Sequence, residues 1–138
     1  MTIIQADVIA DLDGLPVQAK GVFDLSALET ITRCNPVQRQ ALIRLVAELV
    51  AKSAAELSQA HALCTAGEER PALKMLHTLR GSVGNLGARR FADATILIEH
   101  AIQKNAPGIA GFFEAAGVEL ADTLSIAEIW LKHAAKVE

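Results

Sequence analysis

The chain is poor in aromatic residues: no tyrosine, one tryptophan and four phenylalanines in 138 residues. Sheets concentrate aromatic and β-branched side chains, so this scarcity argues against a β-rich fold. A basic tract is missing as well. The net charge is −3, which makes nucleic acid a poor partner. No run approaches the ~18 uninterrupted apolar residues of a membrane span, and no charged segment followed by an apolar one opens the chain. A cytoplasmic protein without direct membrane contact is therefore expected. The two cysteines, Cys34 and Cys64, form no CxxC pair and read as reduced thiols. Repeats and low-complexity segments are lacking too.

What is present is apolar and helix-forming. Apolar residues make up 51% of the chain, chiefly alanine and leucine, which suits close-packed helices. The length fits one domain with a real core. Residues 1–22 contain Asp11-Leu-Asp-Gly14, Pro16 and Gly21 and read as an extended arm or linker, with the folded domain over 23–138. A short helix is expected from about 24 to 33, with Asp24 and the Ser26-Ala-Leu-Glu29 capping box competing for its start. Asn35-Pro36 then places a side-chain cap before a proline at the first helical position. The stripe Val37, Leu42, Leu45, Val46, Leu49, Leu57 and Leu63 carries that helix to about residue 65, and Gly67 stops it.

Glu68 and Glu69 oppose the dipole at the start of the next helix, where Pro71 is tolerated. This helix is expected to run to Gly87. Another follows over 88–104, with Phe91, Ala94, Leu97, Ile98, Ala101 and Ile102 facing inward. The last spans about 109–135 on the stripe Ile109, Phe112, Phe113, Ala116, Leu120, Leu124, Ala127, Leu131 and Ala134. Trp130 reads as core or helix-edge packing. Four long amphipathic helices joined by short turns predict an all-α, antiparallel up-down-up-down four-helix bundle, with the short extra helix at its N-terminal end.

The unusual stretch is Leu76 to Ala88. Leu73, Leu76, Leu79, Val83 and Leu86 mark one buried helix face. Into it are set His77, Arg80 and glycines at 81, 84 and 87. Each interior glycine costs about 0.8–1 kcal/mol relative to alanine, so Gly81 and Gly84 call for a reason. At about 100° per residue, Gly81 lies about 40° from His77 on one side and Gly84 about 20° on the other. Arg80 is about 60° away, one turn on. A cleared lane beside one histidine, with a cation next to it, predicts a docking site.

The stretch His77-Thr-Leu-Arg-Gly-Ser-Val-Gly-Asn-Leu-Gly-Ala88 resembles the signature of histidine-containing phosphotransfer (HPt) domains of bacterial two-component phosphorelays. In that family it typically reads His-x-Leu-Lys-Gly-Ser-Ala-Gly-Asn-Leu-Gly-Ala. The resemblance extends over about 23–134, taking in Phe23-Asp24, Gly67-Glu68 and Ile98-Glu99. Arg80 stands where lysine is usual and Val83 where alanine is usual. Arginine keeps the charge and adds bidentate phosphate geometry.

The resemblance implies a phosphorelay intermediate. His77 takes a phosphoryl group from an aspartate of one receiver domain and passes it to another. Arg80 stabilises the phosphoryl charge, and Lys74 adds a second cation. Gly81 and Gly84 let the receiver approach. An imidazole, with an unperturbed pKa of about 6.5, is a good nucleophile near neutrality. Phosphoryl transfer needs positioning and charge stabilisation more than covalent help. The partners implied are response-regulator receiver domains and a hybrid sensor kinase, of which this chain is either the C-terminal module or a free-standing companion. No cofactor is expected in this chain; the divalent metal is expected on the receiver.

Other readings of the same residues are weaker. Gly81-x-x-Gly84-x-x-Gly87 is not a phosphate-binding loop, because no Gly-Lys-Ser/Thr follows and the apolar period runs through it. The chain is thus expected to lack its own ATP site. A metal-centred bundle needs Glu-x-x-His, and none of the four histidines has an acidic residue three positions before it. His61, His100 and His133 read as solvated or structural. Asn85 and Gly87 are assigned to ending the helix, and Ser82, about 140° from His77, to packing or backbone bonding. The rival function is a helical adaptor that docks signalling proteins without being phosphorylated. Such an adaptor has little need for the glycines.

Overall fold

The computed structural model describes residues 8–10, 16–19, 21–26, 29 and 35–137. Four helices form the body: α1 (Pro36–Thr65), α2 (Glu69–Gly84), α3 (Arg89–Gln103) and α4 (Ile109–Val137). Each packs against the next, and α1 closes the ring against α4. The architecture is the all-α antiparallel bundle expected from the apolar periodicity. Three short strands, β1 (Val8–Ala10), β2 (Pro16–Ala19) and β3 (Phe23–Asp24), lie beside it as an antiparallel sheet in the order β1-β2-β3.

Helix length explains where this N-terminal segment goes. α1 and α4 have 30 and 29 residues, α2 and α3 only 16 and 15. At 1.5 Å per residue the outer pair is roughly 45 Å long and the inner hairpin roughly 24 Å. The α2–α3 hairpin therefore covers only half of the α1–α4 pair. In that half Leu57, Leu76, Leu79, Val83, Phe91, Ile98, Phe113 and Leu120 make the core. In the other half the chain around β3 takes the hairpin's place: Val22, Phe23 and Leu25 bury against Leu42, Val46, Leu86 and Trp130.

Polar bonds fasten this cover. The Thr123 hydroxyl donates to the buried Val22 carbonyl at 2.7 Å. The Asp24 amide donates to Leu86 O at 2.7 Å, and the Arg90 amide to Gly21 O at 2.8 Å. The indole N–H of Trp130, fully buried, donates to Glu29 Oε1 at 3.0 Å. Val22 and the β2–β3 pairing thus tie the segment around residue 22, where an arm was expected to end, into the fold.

Local sequence accounts for the ends of the elements. Asn35 caps α1, its side chain accepting from the Gln38 amide at 3.1 Å, with Pro36 at the first position. Asn35→Ala is expected to lower unfolding free energy by about 1 kcal/mol, read as a lower urea midpoint at unchanged m-value. Of the two competing starts for the short helix, Asp24 wins: its Oδ1 accepts from the amide and hydroxyl of Ser26 at 2.9 and 2.6 Å. Ser26 and Glu29 are helical, and the Glu29 amide donates to Leu25 O at 2.8 Å. The rest of that expected helix, with Cys34, lies outside the described residues.

Some positions depart from the periodic reading. Val37 is 76% exposed and Leu97 54% exposed. Ser53 and Thr95 occupy buried positions on those helices, the Thr95 hydroxyl donating to Ala92 O at 2.7 Å. On α4, Thr123, Ile126 and Trp130 are buried, whereas Leu124 and Leu131 pack only partly against the core. The N-terminal segment rotates the buried face of the second half of α4 toward itself. α2 also ends at Gly84 instead of reaching Gly87. Asn85 takes the cap position, and Asn85, Leu86 and Gly87 donate their amides to the carbonyls three residues back.

Gly87 has φ +73°, and a Cβ there would lie 2.6 Å from the Asp24 nitrogen. Its reason is the passage of β3 across the turn. No described helix is long and apolar enough to cross a membrane.

Candidate functional site

α2 buries Ala72, Leu76, Leu79 and Val83 and turns His77 outward, exposed to solvent. The helix thereby fixes where the imidazole is while leaving the ring open to solvent. Gly81 and Gly84 flank it, as the wheel predicts. A Cβ added at either would meet nothing within 4 Å. Packing within this chain therefore does not require glycine at these positions.

Arg80 departs from the expectation of a free outward cation. Its side chain is 22% exposed and forms an ion pair with Glu99 of α3, itself 18% exposed. The same guanidinium reaches back to His77 Nδ1 at 2.8 Å. Glu99, Arg80 and His77 thus form a connected row from α3 across α2. Glu99 has no role in the sequence pattern beyond its place in the resemblance. The available signal is an acid next to the buried Ile98, and only the antiparallel α2–α3 contact places it 19 residues away in sequence beside Arg80.

Lys74 is exposed on the other flank of His77. It lines a groove of about 460 Å³ between α1 and α2, with Glu56, Gln59, Met75 and Thr78. Among the described residues its side chain has neither a hydrogen bond nor an ion pair. The structure therefore places Lys74, Gly81 and Gly84 around the imidazole but joins only Arg80 to it.

The remaining candidates fall away on geometry. His61 stacks on Phe113, ring centroids 4.5 Å apart at 10°, on the α1–α4 side. His100 is exposed in the last turn of α3, where it opposes the helix dipole when charged. Burial pushes the Cys64 thiol up from its ordinary value, and the Glu69 carboxylate adds to this. The thiolate is the nucleophilic form, so Cys64 is a poor reactive centre. Among the described residues no three His, Cys, Asp or Glu side chains converge to hold a metal ion.

The bundle thus holds His77 outward on α2, with open space at Gly81 and Gly84 beside it. The family model of the Hpt domain matches residues 44–128, from within α1 to within α4, and the chain belongs to that family. No curated protein and no solved structure matches it at a significant level. Membership implies histidine phosphotransfer in two-component phosphorelays, with response-regulator receiver domains as the general partners.

Proposed function

We propose that His77 is the phosphoacceptor, taking a phosphoryl group from an aspartyl phosphate of one receiver domain and delivering it to the aspartate of another. The observation that carries this is the exposed imidazole with a guanidinium at 2.8 Å and open space at both flanking glycines. A ring nitrogen lone pair attacks phosphorus. The N–P bond forms as the P–O bond breaks, and the aspartate leaves as carboxylate with the bonding electrons. The ring keeps its proton on the other nitrogen. Transfer onward is the reverse of this step on a second carboxylate.

Arg80 has donors to spare for the phosphoryl oxygens, whose charge such a transition state spreads outward. Lys74 extends the positive field toward the α1 side. A divalent cation, where the transfer uses one, is assigned to the receiver. The test is incubation of the chain with a phosphorylated receiver. A label stable in base and labile in acid is expected, confined to the tryptic peptide Met75–Arg80, whose one histidine is His77. Label elsewhere would remove His77 from the role, and no label from any donor would favour the adaptor reading.

Gly81→Leu separates docking from chemistry. A Cβ at this position meets nothing within 4 Å, and helix propensity raises stability by up to about 1 kcal/mol. Transfer from a receiver should nevertheless fall sharply, because the leucine fills the approach to the ring. Phosphoramidate, a donor too small to be excluded, should still label His77. Unchanged receiver transfer would mean that the open space is not a docking lane.

A further inference from the structure

We propose that Arg80 gates His77 by occupying its nucleophilic lone pair until a receiver draws the guanidinium away. This rests on His77 being the phosphoacceptor and adds how its reactivity is controlled. Arginine has five N–H donors and no acceptor. Its contact with His77 Nδ1, at 2.8 Å, is a hydrogen bond only if Nδ1 accepts. A neutral imidazole has one acceptor nitrogen and one N–H, so the proton is on Nε2. The Nε2 electrons then belong to the ring π system and do not attack phosphorus. The one available lone pair, on Nδ1, lies under the guanidinium. In this arrangement neither nitrogen is a free nucleophile.

Glu99 makes the arrangement persistent. Its carboxylate holds the other edge of the guanidinium, and the pair is mostly shielded from solvent. Arg80 therefore has an anchor on α3 from which to cover the ring, instead of wandering as a surface side chain does. A phosphoryl group arriving in the lane at Gly81 and Gly84 offers the guanidinium more negative charge than Nδ1 does. Arg80 turns to the phosphoryl oxygens, and the ring is free to shift its proton and expose a lone pair. The cation that stabilises the transfer is thus the group that suppresses reaction in its absence.

The test uses an uncharged electrophile, which cannot recruit Arg80. Diethyl pyrocarbonate acylates neutral imidazoles, and each histidine can be followed by peptide mass analysis. His77 is expected to react more slowly than His100, although both are exposed. In Arg80→Met, which keeps an apolar stem, acylation of His77 should rise about tenfold, as loss of one charge-assisted hydrogen bond implies. The His100 rate should not move, while phosphoryl uptake from a receiver falls.

Nitrogen NMR of the wild-type chain reports the same point without a variant, with the proton expected on Nε2. A proton on Nδ1, or acylation of His77 unchanged in Arg80→Met, would overturn the gate. Neither result touches the phosphoacceptor assignment, which the labelled peptide decides separately.

Discussion

His77→Gln is expected to abolish phosphoryl uptake from every receiver that labels the wild-type chain, down to background, with the fold intact. Glutamine keeps a polar side chain that can accept from Arg80 but has no ring nitrogen to form an N–P bond. The site is solvent-exposed and away from the core, so the change in unfolding free energy should stay within about 0.5 kcal/mol. Rapid-quench labelling and circular dichroism on the same samples read the two expectations together. Full loss of label with an unchanged melting curve assigns the chemistry to His77. Retained label would move it to another residue, and a lost fold would require a second exposed substitution such as His77→Ala.

The largest stability effect is expected at Gly87. Its φ of +73° is a region that costs an L-residue about 1–2 kcal/mol. A Cβ there would also sit 2.6–2.7 Å from the nitrogen, oxygen and Cβ of Asp24. Backbone of β3 cannot yield as a long side chain does. Gly87→Ala should therefore destabilise the chain by roughly 2–4 kcal/mol in urea, combining αL strain with overpacking.

Amide exchange would locate the damage. The Asp24 amide, which donates to Leu86 O, should lose protection before the amides of α2 do. His77 lies ten residues earlier on a helix with its own buried stripe, so whatever fraction remains folded should still accept phosphate. Equal loss of protection throughout α2 would mean that the N-terminal cover and the hairpin unfold as one unit.

The contrast among the glycines shows how far pattern reading reaches. Gly81 and Gly84 stand out in sequence because they interrupt a helical period beside a histidine, and the structure finds open space at both. Gly87 belongs to the same three-residue spacing yet has another cause. It is needed where β3 crosses the α2–α3 turn, a contact between segments more than 60 residues apart that no local pattern encodes. Leu97 and Thr95 make a similar point. Periodicity admits either as the inward residue, and only the packed neighbours decide that Thr95 is buried and Leu97 is not.

By itself, the sequence determined the bundle, most of its helix boundaries though not the end of α2, and the motif around His77. Those properties follow from local physics: apolar spacing, caps such as Asn35, and the cost of glycine in a helix. Tertiary structure alone decided that Arg80 is no free cation but is held between Glu99 of α3 and the imidazole. It also decided that the chain around β3 fills the half of the bundle that the short hairpin leaves open. Both depend on which surfaces meet once helices of unequal length pack side by side. One histidine and its neighbours are legible in the order of residues. The contacts of Arg80 with that histidine and with Glu99 are a property of the packed helices.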